Sequence, residues 1–245
     1  MKLNECGIPK EMALELFAPF VLRELRKREY FHTLGSAKRA LSENRPEVWE
    51  ILAWLREFAV AFDTEILPEV HEHYSYQLRL AQKGYWAYDF ALPMLVLHTL
   101  YHHTHTRLRN WLEICPRKQI TTLDTHDGIG VVDVVGLMDQ EEIDRTVNGL
   151  YEKGSNTKKI YSGPEYQNLD VYQVNCTYYS ALECNDDSYL AARTIQFFAP
   201  GIPQVYYVGL LAGENDLELV ESTKNGRDIN RHGYDLDEIL SLIHI

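Results

Sequence analysis

Ile120-Thr121-Thr122-Leu123-Asp124-Thr125-His126-Asp127-Gly128-Ile129-Gly130 is an apolar, β-branched run that ends by crowding two carboxylates, an imidazole and two glycines into positions 124–130. A strand needs only alternating apolar side chains. Polar residues gathered where it stops are most simply explained by something they hold, and glycines there let the backbone come close to it. A plain turn, in which Asp and Gly serve conformation alone, is the alternative.

On the N-terminal side, Val48, Ile51, Leu52, Leu55, Phe58, Ala59 and Phe62 recur at helical spacing behind an Asn44 to Pro46 start signal, which predicts a core-facing helix. Residues 65–70 read as a short buried strand ending in the polar cluster Glu69, His71, Glu72 and His73. A short helix over 77–82, a second strand over 86–91, a long helix over 92–115 and the third strand, 119–125, follow. Further on come a helix over 139–151, a loop-rich segment reaching Asp170, Tyr172 and Gln173, a helix over 188–198 stopped by Pro200-Gly201, and a fourth strand over 203–208. Strands alternating with helices imply a parallel sheet, which must be covered on both faces. Polar clusters at the C-terminal ends of apolar strands fit a (β/α)8 barrel, whose sites gather at that rim. A doubly wound sheet would need a glycine-rich phosphate loop, and none occurs. With only four strands, the expected fold is α/β, a partial (β/α)8 barrel with a loop-rich insertion after its third strand.

The 245 residues, 45% apolar and 24% charged, have ordinary globular composition. A net charge of −12 argues against nucleic acid or an anionic membrane as the main partner. The charge is unevenly spread: residues 1–45 hold nine Lys/Arg and six Glu, and the first aspartate is Asp63. A helix over Met12 to Tyr30 is the only element suggested there. Cys6, Cys115, Cys176 and Cys184 lack Cys-x-x-Cys spacing, so they read as reduced thiols rather than zinc ligands or a disulfide framework. No signal-peptide pattern and no apolar run of membrane-spanning length is found, which sets the expectation of a cytoplasmic chain.

A barrel would bring Glu69, at the end of the first strand, and Asp127, after the third, to one rim. Paired carboxylates there suit glycoside chemistry, in which one protonates the leaving oxygen and the other attacks or stabilises the sugar cation. His71 and His73, together with Asp127, also fit a metal-dependent hydrolase. His98, His102, His103 and His105 fall on a predicted helix and read as packed or solvated. The 16 tyrosines, several in polar loops, suit stacking on sugar rings, although core positions account for most. Gly226 to His232 is too charged for a core, and an Arg there can orient an acid or hold phosphate.

Five stretches carry a resemblance: Leu67-Pro68-Glu69-Val70-His71, Tyr88-Asp89-Phe90-Ala91-Leu92-Pro93, Leu123 to Gly130, Asp170-Val171-Tyr172-Gln173-Val174-Asn175, and Gly226 to His232. In this order they resemble the sucrose phosphorylases of the α-amylase superfamily, glycoside hydrolase family 13. The resemblance implies a retaining (β/α)8 enzyme without a cofactor or metal, exchanging sucrose and inorganic phosphate for glucose 1-phosphate and fructose. By the same resemblance Glu69 is the acid/base and Asp127 the transition-state stabiliser. His126 and Arg231 belong to the glucose subsite, and Asp170, Tyr172 and Gln173, with His71 nearby, face the acceptor side.

The likeness covers residues 46–239, which corresponds to strands five to eight of the barrel. The family's nucleophile lies in an Arg-x-Asp motif, and no Arg-x-Asp occurs in this chain. Residues 1–45 are therefore expected to be non-matching, as from a wrong reading frame, and residues 240–245 an artefactual tail resembling a translated adapter. The expectation is a fragment of a retaining glucosyltransferase, inactive alone. Two rivals stand beside it: a non-catalytic sugar-binding or assembly piece, whose free sheet edges invite a second copy into a homodimer, and the metal-dependent hydrolase.

Overall fold

The structure, a computed structural model, describes residues 46–61, 65–69, 73–153 and 173–242. The chain divides into two compact units, Met1–Leu67 and Pro68–Ile245. In the first, helix α1 spans Pro46–Ala61, where the apolar spacing predicts it. Its Ala59 is buried and its Leu52 and Leu55 half-buried, while Glu50, Arg56 and Glu57 are exposed, the split of a helix with one packed face. The expected Met12 to Tyr30 helix lies outside the described residues.

The second unit runs α2 (Ser75–Gln82), β1 (Ala87–Asp89), α3 (Leu92–His102), α4 (Thr106–Ile114), β2 (Gln119–Thr121) and β3 (Ile129–Gly130). After these come α5 (Gln140–Glu152), β4 (Gln173–Val174), α6 (Tyr178–Ala181), α7 (Asp186–Phe198), β5 (Ile202–Pro203), α8 (Tyr207–Leu210), α9 (Leu217–Thr223) and α10 (Leu236–Leu242). Strands β1, β2 and β5 form a parallel sheet in that order, with Ala87 opposite Gln119 and Ile120 opposite Ile202. Helices alternating with a parallel ladder make this an α/β chain, as the strand pattern predicts. A small antiparallel pair joins β3 to β4, Ile129 facing Val174.

The core is built on α3. Its start is prepared by Asp89 at the end of β1, whose Oδ1 accepts the Leu92 N–H (3.0 Å), one of the donors that a helix N-terminus leaves unpaired. Pro93 in the first turn forfeits no helical bond. Leu92, Met94, Leu95, Val96 and Leu97 are completely buried, and Trp111 of α4, Leu123, Leu150 and Tyr178 close around them. A helix apolar on all sides is stable only when enclosed in this way. The Asp89 carboxylate, buried with them, also accepts the Trp111 indole N–H (3.0 Å) and Gln119 Nε2 (3.3 Å). Burial pushes its pKa up to about 6, against the pull of those hydrogen bonds.

Three expected elements differ. Residues 65–69 form no strand, and Glu65 and Glu69 are exposed; composition alone does not make a strand without a ladder partner, and among the described residues none pairs there. The long helix over 92–115 is two helices. His103 takes a left-handed conformation (φ 50°) that closes α3, and α4 begins at Thr106. The fourth strand pairs only over Ile202 and Pro203, with the Gln204 N–H adding one bond to the Thr121 carbonyl (2.8 Å), before the chain turns into α8 at Tyr207. The helices at 140–152 and 186–198 match expectation because both carry start signals. Asp139 and Glu142 form a capping box, and Asn185 accepts the Ser188 N–H (2.9 Å). No helix among the described residues is long and apolar enough to cross a membrane.

Candidate active site

The loop that leaves β2 is organised from below by a buried ion pair. Asp124 receives Arg193 Nη2 of α7 on both carboxylate oxygens (3.0 and 2.9 Å). Arg193 Nε also donates to the Tyr189 hydroxyl (3.0 Å), and its Nη1 to Gln196 Oε1 (2.8 Å). Burial pushes the Asp124 carboxyl above its usual range, while the facing guanidinium pulls it back. Gln196 Nε2 in turn donates to the Thr121 carbonyl (3.0 Å) and the Gln204 carbonyl (2.8 Å), tying the ends of β2 and β5 together.

Above this pair the loop is gripped by its backbone. The Asp127 carbonyl accepts Gln173 Nε2 (2.6 Å) and Asn175 Nδ2 (2.7 Å), and its N–H donates to Thr125 Oγ1 (3.2 Å). Gly128 has a positive φ of 108° and lies against the Val174 carbonyl, where a Cβ would collide. The short 3₁₀ turn Gly226–Asn230 closes the other side. Asn230 Nδ2 donates to the Thr125 carbonyl (2.7 Å), and Arg231 Nε to the His126 carbonyl (2.9 Å). The Asp127 side chain then meets two guanidiniums, Arg227 (3.1 Å) and Arg231 (3.3 Å), with His126 Nε2 at 3.5 Å from its second oxygen.

Glu69 and Asp127 line one hollow of about 190 Å³, together with Tyr88, Phe90, Asp124, Thr125, His126, Gln204 and Tyr206. Tyr88 and Phe90 stack, their ring centroids 5.0 Å apart. The volume falls short of the ~300–1,000 Å³ of a complete small-molecule site, and suits a portion of one. The structure therefore brings Glu69, His126, Asp127, Arg231 and Gln173 to one loop cluster, while His71, Asp170 and Tyr172 lie outside the described residues. Tyr88, Phe90 and Gln204 were not singled out as site residues in the sequence, whereas Tyr206 is one of the loop tyrosines that suit sugar stacking and Arg227 lies in the charged Gly226 to His232 cluster. Tyr88 and Phe90 sit two apart at a strand end, spacing that puts both on one face, which is the signal that could have singled them out.

His73 turns its Nδ1 to Ser75 Oγ (2.9 Å). No group of three or more His, Cys, Asp or Glu suited to a metal occurs among the described residues. His98 and His102 both contact Thr146 Oγ1 (3.1 and 3.3 Å), packed against α5 as the helical reading expects, with burial lowering the pKa of each.

No family model matches the chain. A sucrose phosphorylase of Streptococcus mutans is 58% identical over 194 residues, 79% of this chain and 40% of that protein. A sucrose 6(F)-phosphate phosphorylase of Thermoanaerobacterium thermosaccharolyticum is 50% identical over 198 residues, with the same coverage of 79% and 40%. The crystal structure of sucrose 6F-phosphate phosphorylase from Thermoanaerobacter thermosaccharolyticum superposes with a TM-score of 0.75 at 48% identity, covering 82% of this chain and 42% of that one. A shorter match of another kind, 54% over 52 residues, is to the DNA-directed RNA polymerase subunit beta' of Natranaerobius thermophilus, 21% of this chain and 4% of that protein.

The α/β chain with its parallel sheet and its acidic, aromatic strand-end hollow is thus similar, over the matched residues, to these phosphorylases. Over the matched residues it is a homologue of the sucrose phosphorylases, as its five motifs indicate, and it spans about two-fifths of the length of the curated relatives it matches.

Proposed function

We propose that the chain carries the acid/base and stabiliser side of a sucrose phosphorylase-like glucosyl-transfer site, set on part of a (β/α)8 barrel in which β1, β2 and β5 are neighbouring staves. The observation that carries the reading is the meeting of Glu69 and Asp127 in one aromatic-walled hollow, in a chain 58% identical to a sucrose phosphorylase over the matched residues. In this reading Glu69 gives its proton to the departing fructose oxygen as the glycosidic bond breaks and the glucosyl group passes to an aspartate. Glu69 then takes a proton from phosphate as the phosphate oxygen attacks and releases glucose 1-phosphate. Asp127 faces the positive charge that builds on the sugar ring, and the two guanidiniums beside it fix its aim. His126 and Arg231 hold glucose hydroxyls, Tyr88 and Phe90 offer an apolar face to the ring, and Gln173, His71, Asp170 and Tyr172 serve recognition of the acceptor.

The receiving aspartate has no counterpart here, since the chain contains no Arg-x-Asp. Losing one member of a unit that acts together costs orders of magnitude in rate. Purified chain incubated with sucrose and phosphate is therefore expected to form no appreciable glucose 1-phosphate, and robust formation overturns the reading of this chain as a fragment.

The same proposal sets residues 1–45 apart as a segment of separate origin and residues 240–245 as an artefactual tail. Support for the first comes from the change of composition there, nine Lys/Arg and no aspartate in residues 1–45 against an acidic remainder. It also holds the protein to be cytoplasmic.

A further inference from the structure

We propose that His232 is a positioning residue: bridging Asp216 and Glu238 as an imidazolium, it fixes the segment that carries Arg227 and Arg231 to Asp127, and it slackens that segment when the ring loses its proton. The ring sits in a clasp. Its Nδ1 lies 2.5 Å from Asp216 Oδ2 and its Nε2 3.0 Å from Glu238 Oε1. A neutral imidazole has one N–H and can serve one carboxylate, whereas two carboxylates at hydrogen-bond distance from opposite nitrogens require both nitrogens to donate.

Each end of the clasp is anchored. Asp216 is the N-cap of α9, its Oδ1 accepting the Leu219 N–H (2.8 Å), and its own N–H donates to the carbonyl of the fully buried Ile229 (2.8 Å). Glu238 sits in the first turn of α10, with its N–H on Asp235 Oδ1 (2.8 Å). The Tyr207 hydroxyl of α8 donates to the His232 carbonyl (2.8 Å), and the Tyr234 ring meets the imidazole edge-on at 4.6 Å. Glu214 and Glu218 line the same hollow of about 460 Å³, so the groups around the ring are acidic or phenolic. The nearest basic group along the chain is Arg231, which turns away to Asp127, Asp228 and the His126 carbonyl.

Among the described residues lining that hollow, the ring is the one basic group, set between two helix starts. The residue before it is the one that reaches the candidate stabiliser. Bonding to Asp216 foremost, and then to Glu238, raises the His232 pKa, against the opposing effect of burial. The clasp is accordingly complete below the ordinary histidine value and is lost as pH rises through the raised one. The importance of Asp127 rests on the function proposed above; the hold of His232 on the two arginines does not.

The test reads the arginine directly and needs no catalysis. In NMR spectra of the full chain, the His232 ring signals and the Arg231 Nε–H signal are followed from pH 5 to 9 in the parent, in Glu238→Gln and in His232→Gln. The Arg231 signal is expected to move with the His232 midpoint in the parent, to follow it downward in Glu238→Gln, and to stay flat in His232→Gln. An Arg231 signal that is flat while His232 titrates overturns the proposal. So does an Arg231 midpoint that stays put when Glu238→Gln moves the ring, or a ring midpoint that the substitution does not move. If His232→Gln fails to fold, Glu238→Gln alone decides. Because glucose 1-phosphate is never measured, failure here leaves the reading of Glu69 and Asp127 to its own assay.

Discussion

Asp89 shows how one side chain can be indispensable and costly together. It caps α3 and receives the Trp111 indole, yet it is a buried carboxyl with no cation against it and a pKa near 6. A carboxyl whose folded value is raised contributes stability that is complete below its unfolded value and lost as pH climbs through the folded one. Between pH 4 and pH 7 the stability is therefore expected to fall relative to Asp89→Asn by ~2 kcal/mol. Urea unfolding of parent and variant at both pH values measures this, and a constant difference between them refutes it. Glu69 and Asp127 stood out as candidates because each follows an apolar run, whereas Arg193 did not, since an arginine on a helix reads as a solvated charge until a buried Asp124 is placed beside it. Tyr88 and Phe90 were hidden for the opposite reason: aromatic residues near strand ends look like core.

At the scale of elements, helices were read better than strands. A helix carries its own evidence in caps and spacing, as the Asp139 box and the Asn185 cap show, whereas a strand exists only if another chain segment lies alongside. That is why residues 65–69, with Ile66 and Leu67, and residues 204–208, rich in Val and Tyr, form no strand. Helix α8 shows what overrides composition. Its Gly209 lies against the Asp124–Arg193 pair so closely that a Cβ would collide with both, and the Tyr189 hydroxyl donates to its carbonyl (2.5 Å). Neither buried partner can retreat without breaking the ion pair. Gly209→Ala is expected to destabilise the fold by about 1–3 kcal/mol, as overpacked cores do. Unfolding in urea checks this, and an unchanged midpoint counts against the contact.

For the molecule as a whole, the sheet has two free sides. Among the described residues β1 and β5 are each paired on one edge only, and beside β5 stand the exposed Phe198 (88%) and Ile202 (55%). Unpaired edges flanked by apolar side chains recruit other chains. Light scattering is expected to show association that grows with protein concentration, and Phe198→Ser with Ile202→Lys to reduce it; a monomer at every concentration refutes the prediction. The α/β class and the alternation of elements were visible in the pattern alone. That the chain answers to only part of its relatives' length was expected as well, from four strands where a closed barrel needs eight and from the absence of Arg-x-Asp. The clamp that Gln173 and Asn175 place on the Asp127 carbonyl has a consequence for how such sites diversify. Since the acidic loop is stapled through its backbone carbonyl, its course does not depend on the side chain at position 127. A substitution at position 127 thus changes the charge offered to the hollow while the path of the loop is inherited unchanged.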